Sequence, residues 1–120
     1  GAIHLLAALP DVWPDGNIEG IRARGGFEII EMKWKNSQIT RLVIKSALGG
    51  NLRLRLPNSL KLKSGKMVAA KGENLNSFYF VEETPAAIIS EKSTIQPLEL
   101  KPTILVDIPT KKGNVYTLIK

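Results

Sequence analysis

The sequence has no cysteine, a single histidine, few aromatic side chains and no long apolar run. Without cysteine there are no disulfides and no thiolate metal sites, although the redox compartment stays open. The lone histidine, His4, lies among aliphatic residues and reads as a packed structural imidazole without an orienting partner. One histidine and scattered carboxylates give no metal-ligand spacing. No nucleophile elbow supports a Ser-His-Asp triad. The longest apolar stretches, Leu5 to Leu9 and Ala86 to Ile89, fall far short of the roughly 20 residues of a membrane-spanning helix. No membrane partner, metal or cofactor is therefore expected. No basic segment leading into an apolar run opens the chain, so no secretion signal is expected in it.

What is present reads as one ordinary globular domain. Its 120 residues are 43% hydrophobic, enough to bury a core without a staple. The net charge is +6, which raises the question of nucleic acid. Residues 1–60 carry eight Lys/Arg against five Asp/Glu, and residues 61–120 carry nine against six. An excess spread that evenly makes no basic tail. Arg53 and Arg55, and Lys61, Lys63 and Lys66, alternate with or flank leucines, as on the solvated face of a half-buried strand. A nucleic-acid partner is not expected.

Patterning divides the chain in two. Residues 1–17 hold an apolar run ending in Pro10, then Trp13, Pro14, Asp15 and Gly16, which reads as a turn or linker. Ile3, Leu5, Leu6 and Leu9 should pack on this domain or on a neighbour. Residues 18–120 read as short strands between turns. In Phe27 to Lys35, Phe27 and Ile29 share one parity while Ile30, Met32 and Trp34 share the other, which predicts a bulge near Ile29 or Ile30. Asn36-Ser37 predicts a hairpin turn. Strands are expected at Ile39 to Ser46, Asn51 to Leu56, Leu60 to Lys63, Lys66 to Lys71, Phe78 to Glu82, Thr103 to Ile108 and Val115 to Ile119. Ala86 to Gln96 fits either a strand pair or irregular structure. The class is all-β: an antiparallel β-sandwich or jelly roll of about eight or nine short strands.

No reaction centre emerges from the residue types. Glu82 and Glu83, adjacent on a strand, would face opposite ways and could not act as the paired carboxylates of glycoside hydrolysis. Glu28 and Glu31 differ in parity unless the bulge realigns them. Gly25-Gly26 and Gly49-Gly50 lack the Gly-Lys-Ser/Thr of a phosphate loop and read as turn glycines. Alternation gives Phe78 and Phe80 to the core and leaves Tyr79 outside, where its ring is a candidate for carbohydrate contact.

One stretch carries a specific likeness. Ile3-His4-Leu5-Leu6-Ala7-Ala8-Leu9-Pro10, then Trp13-Pro14-Asp15-Gly16, then Gly20-Ile21-Arg22-Ala23-Arg24-Gly25-Gly26-Phe27, and finally Trp34, resembles the C-terminal region of glycoside hydrolase family 95. Ala7 stands where the family usually has proline. The resemblance implies an α-L-fucosidase-like, inverting parent enzyme with an (α/α)6 catalytic barrel. This chain would be its non-catalytic C-terminal β domain, with residues 1–17 as the segment leaving the barrel. The implied partner is that barrel, in cis, with Ile3, Leu5, Leu6, Leu9 and Trp13 as interdomain packing candidates. Asp11, with Asp15 second, is the candidate for the aspartate that activates the catalytic base in the full enzyme. The resemblance also implies a periplasmic or secreted parent. An autonomous carbohydrate-binding module, with oligosaccharide as partner, is the alternative.

Overall fold

The computed structural model describes residues 1–82, 84–96 and 99–120. Among these described residues nine strands form: β1 (Ile3–His4), β2 (Gly16–Ala23), β3 (Phe27–Lys35), β4 (Gln38–Ser46), β5 (Gly50–Leu56), β6 (Lys61–Leu62), β7 (Val68–Ala69), β8 (Ile104–Thr110) and β9 (Val115–Ile119). They make a four-stranded sheet in the order β1-β5-β8-β7 and a five-stranded sheet in the order β2-β3-β4-β9-β6. Every pairing is antiparallel except β1 with β5, which is parallel. The result is the expected all-β sandwich.

Alternation builds the core. Leu52, Leu54 and Leu56 of β5 with Val106 and Ile108 of β8 line one inner face. Phe27, Ile29 and Met32 of β3, Ile39, Leu42 and Ile44 of β4, and Tyr116 and Leu118 of β9 line the other. All are buried in one cluster. Strands of this period place every second side chain on one face, so the two leucine- and isoleucine-rich faces close on each other.

The slip in β3 is a bulge. Its register against β4 shifts between Ile29 and Glu31. Ile30 is left exposed while Ile29 and Met32 both point inward. On the other side of β3, Glu19 pairs with Glu31 and Ile21 with Ile29, so Gly20 lies opposite Ile30, with φ +72°. The irregularity therefore runs through both strands. It also puts Glu28 and Glu31 on the same outer face. There Glu31 is held by Lys33 Nζ at 2.7 Å and Arg41 Nε at 2.6 Å. Between β3 and β4, Asn36 and Ser37 take φ of +50° and +58°, the left-handed pair of a two-residue hairpin turn.

Three expectations are corrected. Phe78 to Glu82 is not a strand: Ser77–Tyr79 is a 3-10 turn capped by the Asn76 side chain, which accepts from the Phe78 N–H. Tyr79 is thereby turned inward and Phe78 and Phe80 outward, the reverse of what alternation gave. Arg53 is on the outer parity of β5 yet buried, because the chain from Lys71 to Asn76 folds over it. Ala86 to Gln96 forms no regular element and is exposed. Of the Glu82-Glu83 pair, Glu82 is exposed outside any strand, and Glu83 lies outside the described residues.

Candidate functional site

The Trp-Pro-Asp-Gly run is a latch onto the β3–β4 hairpin. The Trp13 carbonyl accepts the Trp34 indole N–H at 3.1 Å. The Pro14 carbonyl accepts the Ser37 N–H at 2.7 Å. The Asp15 carboxylate accepts the Asn36 N–H at 2.7 Å, satisfying a backbone donor in the left-handed turn. Gly16 lies under the Trp34 ring: a Cβ there would come within 2.3 Å of Cζ2. Four consecutive residues are thus fixed by one hairpin. Their sequence spacing to Trp34, Asn36 and Ser37 follows from that geometry.

The residues singled out for packing do not share one environment. Leu5 is buried in this domain's own core, and Ile3 and Leu6 pack against it. The Leu5 N–H donates to the Arg55 carbonyl, continuing the β1–β5 pairing. Leu9 is half-buried. Trp13 remains 62% exposed and its neighbour Val12 80%, although the adjoining segment is held by the Trp13 and Pro14 carbonyls and the Asp15 carboxylate.

Tyr79 is buried, and its hydroxyl donates to the Arg24 carbonyl at 2.6 Å. Its ring packs on Gly25, where a Cβ would lie 3.0 Å from Cε2. Burial pushes the phenol up from its ordinary pKa. A ring so enclosed offers no free face for sugar stacking. Its neighbours Phe78 and Phe80, like Trp13, are the aromatic rings left open.

The carboxylates are dispersed into separate contacts. Asp11 is almost fully exposed, with Lys101 Nζ 3.6 Å from its Oδ1. Asp15 serves the hairpin. Asp107 forms a two-point ion pair with Arg53, Nε to Oδ1 and Nη2 to Oδ2, both at 2.8 Å. The remaining Arg53 N–H groups donate to the carbonyls of Lys71, Gly72 and Glu73. Hydrogen bonding from Arg53 holds the Asp107 carboxyl below its ordinary pKa, and Asn51 adds to this. Sequence reading missed this pair, since nothing local to Arg53 announces that residues 71–76 cover it. Among the described residues no three His, Cys, Asp or Glu side chains cluster as a metal site.

A groove of about 790 Å³ runs between the N-terminal segment, the hairpin tip and residues 99–103. His4, Gln38, Arg55 and Lys101 are among its polar lining, and Leu5, Leu6 and Pro57 among its apolar lining. Arg55 already donates to Thr103 Oγ1 there.

No curated protein matches the chain. Residues 1–87 match the family described as "Glycoside hydrolase family 95, C-terminal domain". That span holds the N-terminal strand, the Trp-Pro-Asp-Gly latch, the β2–β3 turn glycines and Trp34, so the chain belongs to glycoside hydrolase family 95 as its C-terminal domain.

Proposed function

We propose that this domain is a non-catalytic accessory unit that packs on, and stabilises, the (α/α)6 catalytic barrel of an α-L-fucosidase-like, inverting enzyme. Val12 and Trp13 carry the reading: large apolar side chains kept exposed beside a segment held by the Trp13 and Pro14 carbonyls and the Asp15 carboxylate. A soluble surface gains nothing by fixing such a pair in water, whereas an interface uses rigid aromatic anchors. The carboxylates support it too, because Asp15, Asp107 and Glu31 are each committed to structural contacts. Removing residues 16–120 from the full-length enzyme should lower its thermal stability and its turnover together. Unchanged melting and turnover would sink the proposal.

Within this reading Asp11 is the aspartate available to assist a catalytic base in the barrel, since Asp15 is occupied by Asn36. In the full enzyme Asp11→Asn should cut kcat and leave the melting temperature in place, whereas Asp15→Asn should do the opposite. An Asp11→Asn enzyme with normal kcat removes the assignment. We further propose that the parent works in the periplasm or outside the cell, as the resemblance implies, and cell fractionation with an antibody to the domain tests that.

A second reading, an autonomous carbohydrate-binding module, is favoured by the exposed rings of Phe78 and Phe80. It expects binding of fucosylated oligosaccharides that Phe80→Ala abolishes. Calorimetric titration showing no heat for any such glycan would discard it.

A further inference from the structure

The two sides of the sandwich end differently. At the far side the edge strands β6 and β7 are two residues long, and Lys61, Lys63 and Lys66 stand exposed around them. Short edges and lysines are the usual protection of a sheet edge that faces water. At the near side the edges are β1 and β2. Gly1, Ala2 and Ile3 line a shallow pocket together with Ala23 and Arg24, so β1 lies across from the end of β2. But β1 has two residues and β2 has eight. The inner face of β2 therefore overhangs the smaller sheet.

Two isoleucines occupy the overhang. Ile18 pairs across from buried Met32 and Ile21 from buried Ile29, so both point to the core side. Each is nonetheless 37% exposed. Trp13 and Val12 stand just before the start of β2, where Trp34 reaches the Trp13 carbonyl across Gly16. The outer sheet faces carry exposed apolar residues singly, Ile30 and Val115 on one and Val68 on the other, among charged side chains. That of the five-stranded sheet carries the Glu31–Lys33–Arg41 cluster, and on that of the four-stranded sheet Arg53 is already covered by residues 71–76.

The geometry points to the overhanging face of β2, extended by Val12 and Trp13, as the surface through which this domain docks on the catalytic portion of its own polypeptide. The inference rests on the accessory-domain reading and assigns it a face. The occupant follows from three observations. The family description makes this a C-terminal domain, so a catalytic portion accompanies it in cis. The domain's first strand, β1, lies on this same side. The opposite side bears the lysines and short edges of a wet surface. Docking is by side chains and not by strand addition, because Gly20 and Ile30 interrupt the regular ladder in the middle of β2.

Hydroxyl-radical footprinting of the full-length enzyme, read residue by residue by mass spectrometry, tests this without any variant. Trp13, Ile18 and Ile21 should be oxidised about five-fold more slowly than their exposure in this domain dictates, as side chains in a dry interface core are. Phe78 and Phe80 should react at the rate of open residues. If Phe78, Phe80 and Val81 are shielded and Trp13 is open, the face assigned here is wrong while docking itself stands. If neither set is shielded, both the face and the accessory-domain reading fall.

Discussion

Gly16 and Gly20 stand four positions apart on β2 and are glycine for different reasons. Gly16 has no room: the Trp34 ring would meet a Cβ at 2.3 Å, and that ring is tied by its N–H to Trp13. Gly20 has open space around it but a φ of +72°. Gly16→Ala should therefore cost about 2 kcal/mol through forced displacement of a packed side chain. Its signature is a changed tryptophan emission spectrum alongside the lowered urea midpoint. Gly20→Ala should cost about 1 kcal/mol, the strain of a left-handed non-glycine residue, and leave the emission unchanged. Equal spectra for the two variants would refute the distinction.

Arg53 and Asp107 set a pH dependence. The pair is buried on the Arg53 side, with 6% of that side chain exposed against 16% for Asp107. Asp107 has its carboxyl held below its ordinary pKa chiefly by the hydrogen bond from Arg53. A carboxylate depressed in the folded state stabilises above its unfolded pKa, and that contribution fades as pH falls through the folded one. Melting temperatures of the wild type and Asp107→Asn should differ at pH 6, and the difference should shrink as the pH falls below the ordinary carboxylate pKa of about 3.9. At neutral pH Asp107→Ala, which strands the guanidinium, should cost about 3 kcal/mol. A wild-type advantage that does not shrink at all between pH 6 and pH 2 would show that the carboxylate charge is not its source.

At the scale of elements, β1 joins the sandwich although its residues read as part of a turn or linker. Ile3 and His4 pair with Leu54 and Arg55, and Leu5 is buried in the core. Leu5→Ala should destabilise by about 3 kcal/mol, the usual cost of emptying a leucine site. An effect under half of that, measured by urea denaturation, would mean that the segment is only loosely attached. Two-residue strands are illegible to periodicity, since alternation needs at least four positions to show. Among the longer strands, β3 and β9 have the bounds that patterning gave them, and the bulge at Ile30 follows from the parity slip of Ile29 and Met32, whereas β2 was given no bounds and starts at Gly16, inside the stretch read as a linker. Phe78 to Phe80 misled because three aromatics in a row favour a strand by propensity. The Asn76 cap and the hydrogen bond from Tyr79 to Arg24 instead select a turn. Such long-range contacts leave no local trace. The same holds for the site: the Trp-Pro-Asp-Gly motif was visible, but that it clamps Trp34, Asn36 and Ser37 was not.

On the scale of the whole molecule, the family match and the fold end at different places. The match stops at residue 87, yet β8 and β9 lie at residues 104–119 and one of them sits inside each sheet. β8 pairs with β5 over seven positions, from Gly50 with Thr110 to Leu56 with Ile104, and β9 pairs with β4 from Arg41 to Lys45. Without them β5 would keep only the two-residue β1, and β4 only β3. Val106, Ile108, Tyr116 and Leu118 would leave the core at about 2 kcal/mol each, more than the whole stability of a marginal domain of this size. Asp107 would go as well, stranding Arg53. A chain cut after residue 87 should therefore bind an apolar dye and show no cooperative melting, where residues 1–120 melt in one transition. A cooperative transition in the shorter chain, at the temperature of the longer one, would mean that β8 and β9 are ornaments on a fold that closes without them.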